Sequence, residues 1–176
     1  FENVCPDSLN SITYKNPDGI SGFCGFGQFV VAKAEDLYIA DDNVPFEKLA
    51  VVEPVACVIN SINNANVEFG DDVLVIGGGT MGMLHVMLAH MKGANVILSE
   101  PVEERRKKAL ELGANAVIDP TKVDVAEEVK RLTDGLGAKI VFNTTAIPAI
   151  ALQALDCTAK CGTMVMFSSL HPNKPV

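Results

Sequence analysis

The sequence predicts an α/β protein, a doubly wound parallel sheet preceded by a smaller β-rich segment. Three observations predict it. From about residue 72 onward, short β-branched apolar runs alternate with helical patterns, and such alternation builds parallel βαβ units. The runs are apolar at nearly every position, as in strands covered by helices on both faces. At one strand–helix junction stands Gly77-Gly78-Gly79-Thr80-Met81-Gly82, a G-x-G-x-x-G turn.

Residues 1 to about 22 are rich in Asn, Asp, Pro, Ser and Gly and read as loop. Residues 27–33 and Leu37-Tyr38-Ile39 read as short strands. Pro45 to Leu49 reads as a helical turn with proline at its start. A helix follows from Glu53-Pro54, with Val55, Val58, Ile59 and Ile62 as its apolar stripe and Cys57 assigned to the core. It stops at Asn63-Asn64, and Phe69 to Asp72 turn the chain into the strand 73–77. Helices are expected over about 80–92, 102–112, 125–132 and 148–155, and further strands over 95–99, 115–118, 139–143 and 162–167. Gly113 closes the second of those helices as a C-terminal cap. Five strands are visible where the fold usually has six, and there is no initiator Met, so the chain is expected to be incomplete at both ends.

The glycine turn points to a dinucleotide. Gly77 allows the tight turn, Gly79 lets a pyrophosphate approach the backbone, and Gly82 lets the helix pack close to the strand. Free N–H groups at the helix start then face the phosphates, favoured by the helix dipole. Glu100 ends the second strand about 20 residues on, where an acid accepts hydrogen bonds from the adenosine ribose. Its carboxylate would repel a 2′-phosphate, which favours NAD over NADP. Arg105 and Arg106 are the counterweight, since an arginine there can hold that phosphate.

Composition narrows the class. A chain of 176 residues suits one domain, or one and part of another. The net charge of −8 argues against nucleic acid as a partner. The basic run Arg105 to Lys108 is interleaved with Glu103, Glu104 and Glu111 and reads largely as a solvated helix face. No apolar run reaches the ~20 residues of a membrane span, and no signal peptide stands at the start. The five cysteines (Cys5, Cys24, Cys57, Cys157 and Cys161) form no C-x-x-C, so free thiols in a reducing cytoplasm are expected. Cys157 and Cys161 share a helix face if their segment is helical. His85 and His90 read as structural, and His171 as a loop residue.

Glu53-Pro54 ahead of a helix, Gly70-Asp71-Asp72-Val73-Leu74-Val75-Ile76-Gly77 and Glu111-Leu112-Gly113-Ala114 resemble the medium-chain zinc-dependent alcohol and polyol dehydrogenases. Ser99-Glu100-Pro101 and Phe167-Ser168-Ser169-Leu170-His171-Pro172 are similar to the sorbitol (L-iditol) and threonine dehydrogenase branch. The resemblance covers nearly the whole chain. It implies a Rossmann domain over 53–176, truncated, preceded at 1–52 by the tail of a GroES-like catalytic domain. It implies oxidation of a secondary alcohol or polyol to a ketone by hydride transfer to NAD(P), with zinc as Lewis acid.

The helix beginning near Thr80 is expected to hold the pyrophosphate; by the resemblance Gly77, Gly79 and Gly82 form the pyrophosphate turn, Met81 contacts the cofactor inside it, Glu100 binds the ribose, and Arg105 lies by the adenine. Thr144 and Thr145 line the cofactor cleft, and Phe167, Ser168 and Ser169 lie near the nicotinamide. Glu53 matches the glutamate that reaches the catalytic zinc directly or through water. Cys5 resembles the last of four cysteines on a structural zinc. A zinc site needs three or four protein ligands, and the chain supplies at most one to each, so no zinc is expected on it. The resemblance also implies a homo-oligomer. The alternatives are a non-catalytic nucleotide sensor and a zinc-free quinone or enoyl reductase, the latter opposed by Glu53-Pro54 and Cys5; a methyltransferase sheet would end in a reversed hairpin, which the five strands do not show.

Overall fold

The computed structural model describes residue 34 and residues 37–168. The chain divides into two compact units, Phe1–Val44 and Pro45–Val176. The strand expected over 27–33, and Cys5, Ser169 and His171, lie outside the described residues. Within the first unit, Leu37 to Ala40 form no strand, against expectation. Tyr38 and Ile39 are almost fully exposed, and so short a run has no ladder partner among the described residues to hold it extended.

The second unit opens with α1, Phe46–Leu49, a single turn with Pro45 at its N-cap. Helix α2 spans Val52–Asn64 and buries Val58, Ser61 and Ile62. Val58 and Ile62 are four apart and define the stripe. Cys57 falls outside it and is exposed, which corrects its assignment to the core, and Ile59 points outward too. Strand and helix then alternate: β1 Asp72–Ile76, α3 Thr80–Met91, β2 Asn95–Ser99, α4 Glu103–Glu111, β3 Ala116–Ile118, α5 Val125–Leu132, β4 Ala138–Asn143, α6 Pro148–Cys157 and β5 Thr158–Met166.

The five strands form one sheet in the order β3-β2-β1-β4-β5, and every pairing is parallel. Residues alternate between its faces. Val73 and Val75 join Val96, Leu98, Ile140 and Phe142 in a core closed by α2, α3 and Ala109 of α4. Leu74 and Ile76 join Ile97, Ile118 and Val141 in a second core closed by α5 and α6. Both faces are therefore dry, which is why the strands show no polar alternation. Each fully buried aliphatic residue of β1 contributes about 1.5–3 kcal/mol relative to an exposed one.

The chain leaves the sheet at β3, on one edge, and returns at β4, beside β1. Ligands of such sheets bind where the order reverses, outside the carboxyl ends of the strands. Here that crevice lies between the ends of β1 and β4, at Ile76 and Asn143.

Strand β5 differs from expectation. It begins directly after α6, at Thr158 rather than near Gly162. Its register on β4 jumps from Ala138↔Thr158 to Ile140↔Thr163. Cys161, with φ of 63°, lies inside that irregularity. Cys157 ends α6 while Cys161 sits in the strand, so the two do not share a helix face.

Candidate functional site

Strand β1 hands the chain to the glycine turn, and each glycine is needed for a different reason. Gly77 has φ of +98°, and a Cβ there would lie 2.8 Å from Thr144 Oγ1. A Cβ at Gly82 would stand 1.8 Å from the Gly77 carbonyl oxygen, so α3 rests directly on the turn. A Cβ at Gly79 would meet nothing within 4 Å: the space beside it is open. Gly79 is the N-cap of α3 and supplies no side chain to cap it. The N–H groups of Thr80, Met81 and Gly82 precede the first helical bond, from Met83 N–H to the Gly79 carbonyl. Unpartnered N–H groups at a helix start, next to open space, suit an anion.

Glu100 faces this turn from the end of β2. It is 3% exposed, and a carboxylate so buried must be hydrogen-bonded. Its Oε2 accepts the Gly78 N–H at 2.6 Å and its Oε1 accepts the Val102 N–H at 2.9 Å. The Arg105 guanidinium stands 3.8 Å away and is half exposed. Arg106, read from the sequence as a candidate for a 2′-phosphate, points elsewhere. Its Nη1 donates to the carbonyls of Glu100 and Pro101, both at 2.7 Å, and its Nη2 pairs with Asp119 at 3.0 Å. The hydroxyl and amide of Thr121, and then the charge of Arg106, hold the Asp119 carboxyl below its usual value.

Across the crevice, Thr144 is stitched to β1: its N–H and its Oγ1 both donate to the Ile76 carbonyl, at 3.0 and 2.9 Å. Buried Asn143 accepts from the Thr145 N–H and hydroxyl at 3.0 and 2.8 Å. The Ser168 hydroxyl donates to the Thr145 carbonyl, and the Phe167 N–H donates to the Asn143 carbonyl at 3.0 Å. Behind this wall, His85 is fully buried between the rings of Phe142 and Phe167, at centroid distances of 4.5 and 4.7 Å. Its Nδ1 lies 2.8 Å from the Met81 carbonyl and so carries the proton, leaving Nε2 to accept from the Ser61 hydroxyl at 3.1 Å. Burial lowers its pKa, in keeping with the structural role read from the sequence.

These walls enclose a cleft of about 500 Å³, where Gly77, Gly79, Glu100, Arg105, Thr144 and Thr145 come together. Thr80, Met81, Gly82 and Ser168 are not among its lining residues. Phe167 instead lines a smaller cavity of about 270 Å³ together with Cys57 and Ser61. Sequence reasoning missed Thr121 and Gln153, which line the cleft, and the Gly78–Glu100 bond. The missed partners lie tens of residues apart, with no local pattern to join them.

Glu53 is exposed in the first turn of α2. Its Oε1 accepts the Cys57 thiol at 3.2 Å, and that bond raises the thiol pKa. Among the described residues, no three His, Cys, Asp or Glu side chains converge as a metal-binding group. The described residues alone therefore do not make up a zinc site, which needs three or four protein ligands.

The model of the zinc-binding dehydrogenase family matches residues 80–176. This chain belongs to the zinc-binding dehydrogenase family. It is 33% identical to L-threonine 3-dehydrogenase of Caldanaerobacter subterraneus subsp. tengcongensis, over 92% of this chain and 45% of that one. It is 35% identical to scyllo-inosose 3-dehydrogenase of Thermotoga maritima, over 89% of this chain and 40% of that one. Among solved structures it is similar to a protein of Sinorhizobium meliloti assigned as a zinc-binding dehydrogenase and bound to NADP. The TM-score is 0.69 at 31% identity, over 72% of this chain and 38% of that one. The chain spans less than half the length of these relatives.

Proposed function

We propose that this chain is the cofactor-binding portion of an oxidoreductase that oxidises a secondary alcohol or polyol to a ketone by hydride transfer to NAD(P). One observation carries the reading: the Gly77–Gly82 turn opens onto free space at Gly79, with the Glu100 carboxylate fixed across it. The α3 N-terminus would hold the pyrophosphate, Glu100 the adenosine ribose, and Arg105 one side of the adenine pocket. Thr144, Thr145, Phe167, Ser168 and Ser169 would line the nicotinamide end. When bound, the nicotinamide supplies the hydride acceptor. The chain's own part is to orient it and exclude water.

NAD is the favoured cofactor, because Glu100 meets the 2′ position and Arg106 is committed to other partners. NADP, which the Sinorhizobium meliloti relative holds, is the alternative. Residues 1–52 form the tail of a catalytic domain and 53–176 the cofactor domain in this reading. Glu53 and Cys5 would each contribute one ligand, direct or water-linked for Glu53, to zinc sites completed by residues outside this chain. A homo-oligomer in a reducing cytoplasm, acting on a small alcohol and not on nucleic acid, completes the proposal.

The test is titration of NADH fluorescence with the purified chain and with Glu100→Ala. The expected result is saturable binding that Glu100→Ala weakens at least about tenfold, the worth of one hydrogen bond to a charged group. Absence of binding, or binding indifferent to Glu100, would reject the reading.

A further inference from the structure

We infer that the partly buried Arg106–Asp119 pair positions the Glu100 carboxylate and thereby sets how sharply the cleft separates a ribose 2′-hydroxyl from a 2′-phosphate. This rests on the dinucleotide reading above.

A glutamate has one more torsion than an aspartate, so its carboxylate sweeps a wider arc unless it is held. Here it is held at both ends. Its tip accepts from Gly78 and Val102. Its main chain is fixed by the bond from Glu100 N–H to the Ile118 carbonyl, at 3.1 Å, and by the Arg106 clamp on two successive carbonyls. Those carbonyls follow the end of β2, where no ladder partner fixes them.

Asp119 in turn fixes the clamp. The Arg106 and Asp119 side chains are 12% and 15% exposed, so the pair is partly shielded from water and screened less than a surface pair. Asp119 Oδ1 also accepts the Thr121 N–H at 3.0 Å and its hydroxyl at 2.6 Å. Thr121 lines the cleft. From α4, the Arg106 guanidinium therefore ties the loop after β2, through the Glu100 and Pro101 carbonyls, to Asp119 in the loop after β3, and these loops are two walls of the same pocket. The pair also keeps a guanidinium off the 2′ position. Lys122, 3.4 Å from Asp119, is three-quarters exposed and adds little.

Removing the clamp frees the 100–102 turn, and the carboxylate drifts. The 2′-hydroxyl then loses its acceptor, while a 2′-phosphate meets less repulsion. A merely architectural role would weaken both cofactors together. The experiment measures NADH and NADPH affinities of the 176-residue chain, unsubstituted and as Arg106→Met, Arg106→Lys and Asp119→Asn, with circular dichroism to confirm folding. The expected NADH-over-NADPH preference falls about tenfold in Arg106→Met, the worth of one hydrogen bond to a charged group. It falls less in Asp119→Asn, and Arg106→Lys lies between Arg106→Met and the unsubstituted chain. If Arg106→Met does not fold, the other two variants decide. A preference unchanged in the folded variants overturns this inference alone. An unsubstituted chain that binds neither cofactor overturns the dinucleotide reading and this inference with it. Equal binding of both leaves no 2′ discrimination to be set, and overturns the inference.

Discussion

Gly82 has no side chain because none fits. A Cβ there would collide with the Gly77 carbonyl, a backbone atom that cannot step aside without moving β1 or α3. Gly82→Ala should destabilise the chain by about 3 kcal/mol, the upper range for overpacking, as read by urea denaturation. His85 provides a pH test. Its folded-state pKa lies below the ordinary imidazole value because burial disfavours the charged ring. The unfolded chain therefore binds the proton first as pH falls. The stability His85 provides is complete above about pH 6.5 and is lost as pH drops toward its lowered folded-state value. Unfolding free energies across that window should fall in the unsubstituted chain and flatten in His85→Gln. Cys157, fully buried, has its thiol pKa raised to about 11, chiefly by burial. Alkylation at pH 8 should modify the exposed Cys161 in the native state and Cys157 only on unfolding.

Elements were legible where periodicity and turn chemistry agreed. Strands β1, β2 and β4 and helices α3 to α6 stand within one or two residues of the pattern that announced them, because both faces of each strand are buried and glycines mark several of the turns. Gly113, with φ of +104°, follows α4 as expected. Legibility failed where the deciding partner is remote. Leu37 to Ile39 carry strand-forming residues but have no neighbouring strand among the described residues. Cys57 is apolar enough for a core, yet the stripe of α2 runs through Val58 and Ile62. Strand β5 begins early because pairing with β4 tolerates the irregularity at Cys161, which side-chain type does not signal. The central strand carries much of the element-scale stability. Leu74→Ala, at a fully buried site, should cost about 2–5 kcal/mol, and a loss under 1 kcal/mol in denaturant titration would contradict the two-faced core.

At the scale of the whole molecule, function follows from topology. The sheet reverses order between β1 and β4, and the glycine turn, Glu100 and Thr144 all stand at strand ends around that point. The sequence showed the turn and the acid, because their spacing is local. It did not show that Glu100 closes back on Gly78, or that Arg106 turns from the cleft to Asp119, because those contacts exist only once three strands lie side by side. In the function proposed above, a dinucleotide occupies this crevice. The direct measurement is amide chemical-shift mapping of the isotope-labelled chain during NADH titration. Saturable shifts concentrated at Gly77 to Gly82, Glu100 to Val102 and Thr144–Thr145 are expected. Shifts clustered away from the β1–β4 crevice, or none at saturating NADH, would contradict it.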